Sequence, residues 1–91
     1  MAKPIADYVI TPHVAFEIQR RGIAEEDVQR VLHAPEQRSP VRAGRDILQR
    51  RTTLLGKQCL LRVFGDVDRH PAEEVTVYRT GKIAKYWRNE P

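Results

Sequence analysis

The chain has 91 residues, a formal net charge of +4, 41% hydrophobic residues and 31% charged ones. That is the size of one domain (residues 1–91) with a single modest core, and the composition of a folded rather than a disordered chain. One cysteine, Cys59, excludes an intrachain disulfide, and no window approaches the run of roughly 18 apolar residues that a membrane span needs.

Cys59 lies in an apolar run with no neighbouring histidine or second cysteine, and is expected to be a buried thiol. The start, M-A-K-P-I-A-D-Y, has no apolar stretch of signal-peptide length, so a cytoplasmic location is expected. Charge is segregated along the chain. Residues 37–62 carry Arg38, Arg42, Arg45, Arg50, Arg51, Lys57 and Arg62 against Asp46 alone, a balance of +6. Residues 79–91 carry Arg79, Lys82, Lys85 and Arg88 against Glu90, whereas 24–36 and 63–78 are each acidic. Most of the base is arginine, whose planar fork of donors suits phosphate, so a polyanionic partner such as RNA is expected. A solvated, salt-bridged surface is the plain alternative, and a basic face meeting the acidic segment of another copy is a third.

In chain order, Tyr8-Val9-Ile10 reads as a first short strand. Thr11 then has the character of an N-cap and Pro12 that of a first helical residue. Val14, Ala15 and Ile18 form the inward face of this helix, with Phe16 at its edge, and Gly22 stops it. A second helix follows, with Glu25, Glu26 and Asp27 in its first turn and Val28, Val31 and Leu32 as its apolar stripe. Ile23 and Val28 have the spacing of a hydrophobic staple if Ala24 is the cap, and Pro35 ends the helix.

Beyond Gln37 the texture is that of strands. Ser39-Pro40-Val41 leads in, R-D-I-L-Q-R-R-T-T-L-L follows, and Gly56-Lys57 turns into Q-C-L-L-R-V-F. G-D-V-D-R-H-P-A is a loop, and E-E-V-T-V-Y-R-T alternates before K-I-A-K-Y-W-R closes the chain. The fold expected is α+β: two N-terminal helices packed on one face of a small, mostly antiparallel four-stranded sheet.

Strand alternation sorts the sheet. With Val75, Val77, Cys59, Leu61 and Val63 toward the helices, the open face carries Leu60, Arg62 and Phe64 beside Thr76, Tyr78 and Thr80. Arg50 and Arg51 fall on opposite faces, and periodicity leaves open which of them shares that of Arg62. Lys82, Lys85 and Arg88 are interleaved with Tyr86 and Trp87, a pattern suited to a phosphate backbone with stacked bases, or to covering one end of the core. Asp66, Asp68 and His70 match no metal-site signature, there is no Gly-rich phosphate loop, and no metal or cofactor is expected.

H-V-A-F-E-I-Q-R-R-G-I-A-E-E-D-V and V-T-V-Y-R-T-G-K-I-A-K-Y-W lie toward opposite ends of the chain, and the likeness they carry runs over nearly its whole length. They resemble a bacterial family of small domains of unknown function with an H-A-x-x-R-M-x-x-R-G-I-S-x-x-D-V opening and a T-V-Y-R-T-like end. His13, Arg21, Gly22, Ile23, Asp27 and Val28 keep register with that opening, while Glu17 replaces its first-helix arginine and Ala24 its Ser or Thr cap. Such domains look like relatives of the RelE and BrnT toxins of toxin–antitoxin pairs. The resemblance implies a RelE/BrnT-like sheet, a metal-independent endoribonuclease of the mRNA-interferase kind acting on RNA, on or off the ribosome, and a cognate antitoxin protein. The alternative is a non-catalytic nucleic-acid-binding or protein-interaction module of the same fold.

Metal-independent cleavage of RNA needs a base for the 2′-hydroxyl, cations for the transition state and an acid for the leaving oxygen. On this reading His13, near a positive helix end that favours a neutral ring, is the base. Arg62 and Arg79 stabilise phosphate, and Tyr78 orients it or acts as the acid. Arg42, Arg50, Arg51, Lys82 and Lys85 complete the RNA-binding set. His13 equally well serves only as a helix-start residue, and the choice turns on whether it faces Arg62 and Tyr78.

Overall fold

Thr11 is extended (φ −68°, ψ 155°) and its hydroxyl accepts the Val14 amide at 3.3 Å, so helix α1 (Pro12–Arg20) starts on a capped turn with proline first. Gly22 takes φ +66°, the left-handed backbone that turns the chain into α2 (Glu25–His33). Ala24 supplies no side-chain cap there, and the first turn holds Glu25, Glu26 and Asp27 against the positive end of the helix instead. At the other end, Ile5 N–H donates to Leu32 O at 2.8 Å and Arg50 Nη1 to Ala34 O at 2.7 Å, satisfying carbonyls that the helix leaves unpaired. This computed structural model describes residues 2–88.

The strands are β1 (Tyr8–Ile10), β2 (Gln37–Arg42), β3 (Arg45–Leu54), β4 (Lys57–Asp66) and β5 (Ala72–Thr80), and a short helix α3 (Ile83–Tyr86) follows them. They form one sheet in the order β1-β5-β4-β3-β2. All pairs are antiparallel except β1, which lies parallel to the start of β5. The architecture is thus α+β with the two N-terminal helices on one face, but with five strands rather than four and a third helix. The lead-in around Pro40 is a full edge strand; the proline is tolerated there because an edge strand has one side without ladder partners.

Val14, Ile18, Ile23, Val28, Val31 and Leu32 of the helical segment close on Leu48, Leu61, Val63 and Val77 of the sheet. Ala15 and Phe16 are not part of this core: both are exposed, Phe16 to 61%. Val75 is also left out. Phe64 pairs with Thr76 but Gly65 pairs with Glu74, so Val75 is the extra residue of a bulge in β5. The slip reverses the alternation on its N-terminal side and carries Glu74, not Val75, into the helix-side interior.

Glu74 is 2% exposed, and both its carboxylate oxygens lack a hydrogen-bond partner among the described residues. Burial, and next the charge of Glu25, push this carboxyl up to about 7. The same carboxylates, after burial, raise the nearby Tyr8 hydroxyl. The folded state therefore holds a proton that the unfolded chain releases near its ordinary value of 4.5. The stabilisation from that proton is complete below the unfolded value and lost as pH rises through about 7, a span worth about 3 kcal/mol. Urea unfolding from about pH 5 to about pH 8 should show this decline in the wild type, and E74Q should remove it while leaving the acid limb unchanged.

The β3–β4 hairpin turns on Leu55 and Gly56, one residue earlier than Gly56-Lys57. Leu54 pairs with Lys57, and the two loop residues have φ of 51° and 78°. A two-residue turn of this kind needs left-handed backbone at both positions, and leucine pays a steric penalty there that asparagine largely avoids. Leu55→Asn should raise stability by about 1 kcal/mol, read as an increase of roughly 5 °C in Tm.

Candidate functional site

On the face of the sheet away from α1 and α2, β4 presents Arg62 directly opposite Tyr78 of β5 and Gln49 of β3. Arg62 Nε donates to Gln49 Oε1 at 3.0 Å and Nη1 donates to the Tyr78 hydroxyl. The guanidinium carbon lies 4.1 Å from the ring centre of Tyr86, 5.4 Å from Tyr78 and 5.6 Å from Phe64. The rings brace one another: Phe64 stacks on Tyr78 at 6.1 Å, and Tyr86 meets Tyr78 edge-on at 6.4 Å. Arg62 is half-buried, and none of the ion pairs among the described residues includes it.

This face is not open. After β5, Lys82 N–H donates to Thr80 Oγ1 at 3.1 Å, α3 forms, and the chain crosses the sheet toward β2 as a strap. Gln49 Nε2 donates to Tyr86 O at 3.1 Å and to Gln37 Oε1 at 2.7 Å, and Arg88 N–H donates to the same Gln37 oxygen at 3.0 Å. Leu60 and Ile47, on the strap side by alternation, are buried.

The basic residues named from sequence divide accordingly. Arg51 shares the face of Arg62, yet its side chain forks onto Glu36 at 3.2 and 2.9 Å and lies 4.2 Å from the Trp87 ring centre. That hydrogen bonding holds the Glu36 carboxyl below the usual carboxylate range. Arg50 points to the helix side and closes the end of α2. Arg79 also points to the helix side, opposite Leu61, and borders a separate hollow at the end of the sheet. Lys82 and Lys85 are exposed on the strap, with Lys85 Nζ 5.3 Å from the Tyr86 ring centre. Arg42 is exposed at the β2–β3 turn, where it adds to the lowering of the Asp66 carboxyl that the hydrogen bond from Arg45 dominates.

His13 is the second residue of α1 and exposed. Val14 and Ile18 of α1 pack with Leu61, Val63 and Val77, so the sheet separates that helix from Arg62 and Tyr78. What His13 neighbours is Glu17, whose carboxyl is lowered first by the hydrogen bond from Arg20 and further by the charges of Arg21 and His13. Arg21 itself donates to Val77 O at 2.9 Å. The structure thus brings together Arg62, Tyr78 and, on the strap, Lys85, and keeps His13, Arg79 and Arg50 elsewhere.

Sequence reasoning missed Gln37 and Gln49, which hold the strap and Arg62 in place. Two glutamines one hairpin apart carry no signal until their strands are paired. Among the described residues there is no group of three or more metal-ligating side chains, and no helix is long and apolar enough to cross a membrane. Comparison with protein-family models, with curated proteins and with solved structures returned no match.

Chemically, the site is a cation desolvated by aromatic rings and held by neutral oxygens only. Cation–π contacts of this kind contribute about 0.5–2 kcal/mol each and do not neutralise the charge. The guanidinium donors beyond those bound to Gln49 and Tyr78 suit an anion with two oxygens in a plane. Trp87 is the only tryptophan in the chain and reports on the strap. Arg51→Leu should detach it, giving a red-shifted Trp87 emission without loss of the far-UV circular dichroism.

Proposed function

We propose that the Arg62 site binds a phosphodiester of RNA, and that the chain is an RNA-binding domain of the RelE/BrnT-like kind. The observation that carries this reading is the half-buried Arg62 guanidinium without a carboxylate partner among the described residues, flanked by Phe64, Tyr78 and Tyr86. Phosphate supplies the anion that the site lacks, and the rings offer faces on which an adjacent base stacks. Lys82 and Lys85 on the strap extend the positive field along the backbone of the RNA. Arg50 and Arg51, both engaged within the fold, contribute little to it.

A second reading, toxin-like and metal-independent cleavage, draws on the Arg62–Tyr78 pair. Arg62 donates to the phenolic oxygen, which leaves the Tyr78 proton available. In that reaction the 2′-oxygen bonds to phosphorus, the bond to the 5′-oxygen breaks, Tyr78 protonates the leaving oxygen, and a 2′,3′-cyclic phosphate remains. With α1 across the sheet, solvent rather than His13 takes the 2′-proton in this conformation.

Fluorescence anisotropy with a labelled single-stranded RNA tests the first reading. The affinity should fall as salt rises, and Arg62→Gln should weaken it at least about tenfold, the loss of one desolvated charge contact. Equal binding by wild type and R62Q overturns it. Incubation of RNA in EDTA tests the second: cyclic-phosphate ends that form roughly a hundredfold more slowly with Tyr78→Phe support cleavage, and intact RNA excludes it.

A further inference from the structure

At the end of the sheet, where β3 turns into β4 and β5 stops, a hollow of about 490 Å³ is bordered by Leu54, Leu55, Lys57, Cys59 and Arg79. It lies on the side of β4 and β5 opposite Arg62, since Cys59 alternates with Leu61 and Arg79 pairs with Leu61. Three features mark it. Leu55 is 94% exposed and Leu54 40%, a large apolar surface left in water on one turn. Leu55 also holds φ at 51°, so the most exposed large apolar side chain among the described residues sits on backbone that opposes it. Finally, the charge here is unbalanced: neither Lys57 nor Arg79 takes part in an ion pair among the described residues. The sequence stretches Ile47–Gly65 and Val75–Asn89, within which all the residues bordering the hollow fall, contain no aspartate or glutamate.

We propose that this hollow docks a segment of a partner protein in which acidic side chains flank a leucine, isoleucine or phenylalanine. The apolar side chain enters between Leu54, Leu55 and Cys59, and the carboxylates meet Lys57 and Arg79. Charge complementarity selects an acidic occupant, and the aliphatic floor selects a peptide over RNA. The rings on which a base would stack, Phe64, Tyr78 and Tyr86, all lie on the other face with Arg62. The inference does not rest on the RNA-binding reading: it concerns different side chains on the opposite side of the sheet. A strained, exposed leucine is then understandable as a contact residue retained at a cost in stability.

Selection of a random peptide library displayed on phage against the full chain tests the proposal. Enriched peptides should carry Asp or Glu beside an aliphatic or aromatic residue. Their affinity should fall at least about tenfold in Arg79→Glu and in Leu55→Asn, as for anchors at the centre of an interface. Val41→Asn removes another exposed apolar side chain, on β2 and 49% accessible, and should leave binding unchanged. Leu55→Asn is the decisive variant, because it is expected to gain stability while losing the peptide, an outcome that misfolding cannot imitate. The proposal is overturned by any of three results: no enrichment, enriched peptides that bind R79E and L55N as tightly as wild type, or a single-stranded RNA that competes with them for the same residues.

Discussion

The Gln49 side chain is the interaction on which the far face of the sheet depends. It is 3% exposed, its oxygen accepts from Arg62, and its nitrogen donates to Gln37 and to the backbone of Tyr86. A buried amide without partners costs free energy comparable to several hydrogen bonds, so its bonds must be made together. Making them places the strap over β3, sets Tyr86 against Arg62 and leaves the guanidinium with donors to spare. The position of the cation and the covering of the face are therefore one arrangement rather than two.

The opposite face is governed by apolar packing with a single polar exception. The helices supply two stripes, β3, β4 and β5 supply their inward residues, and these interlock without polar atoms. Glu74 enters only because β5 carries one residue more than β4 at Gly65. Without that bulge the carboxylate would reach the strap side and Val75 would fill its place. The bulge thus exchanges an apolar contact for a proton-linked group next to Glu25 and Tyr8, and gives this small core a dependence on pH that its other residues lack.

Much of the fold was legible along the chain because it rests on local chemistry. Thr11, Pro12 and Gly22 bound α1 for reasons contained in those residues, and Val28, Val31 and Leu32 form the stripe of α2 that their spacing demands. Alternation on β4 placed Leu61 and Val63 inward and Arg62 outward. What could not be read depends on pairing between distant segments. Arg50 and Arg51 are adjacent and alike in sequence, and only the register of β3 with β4, together with Ala34 and Glu36, assigns one to each face. The bulge at Val75 is invisible in E-E-V-T-V-Y-R-T, whose alternation is unbroken. His13 illustrates the same limit: its place at a helix start follows from its neighbours, whereas its separation from Tyr78 follows from how α1 packs.

Pairing of β4 with β5 also explains how so small a chain presents two cationic surfaces of different character. Arg62 and Tyr78 are one registered pair and Leu61 and Arg79 the next, so consecutive residues project to opposite sides. The side holding Arg62 is lined with rings and closed by buried amides, so its guanidinium is held by neutral oxygens between aromatic faces. The side holding Arg79 ends beyond the helices on aliphatic carbon, which favours a side chain over a nucleobase. Because stretches of both strands lack carboxylates, neither surface can neutralise itself, while most of the remaining arginines are matched within the fold. The strands between them are a shared wall, so a substitution on one side alters the other only through the register, and the two surfaces are separable by single side chains.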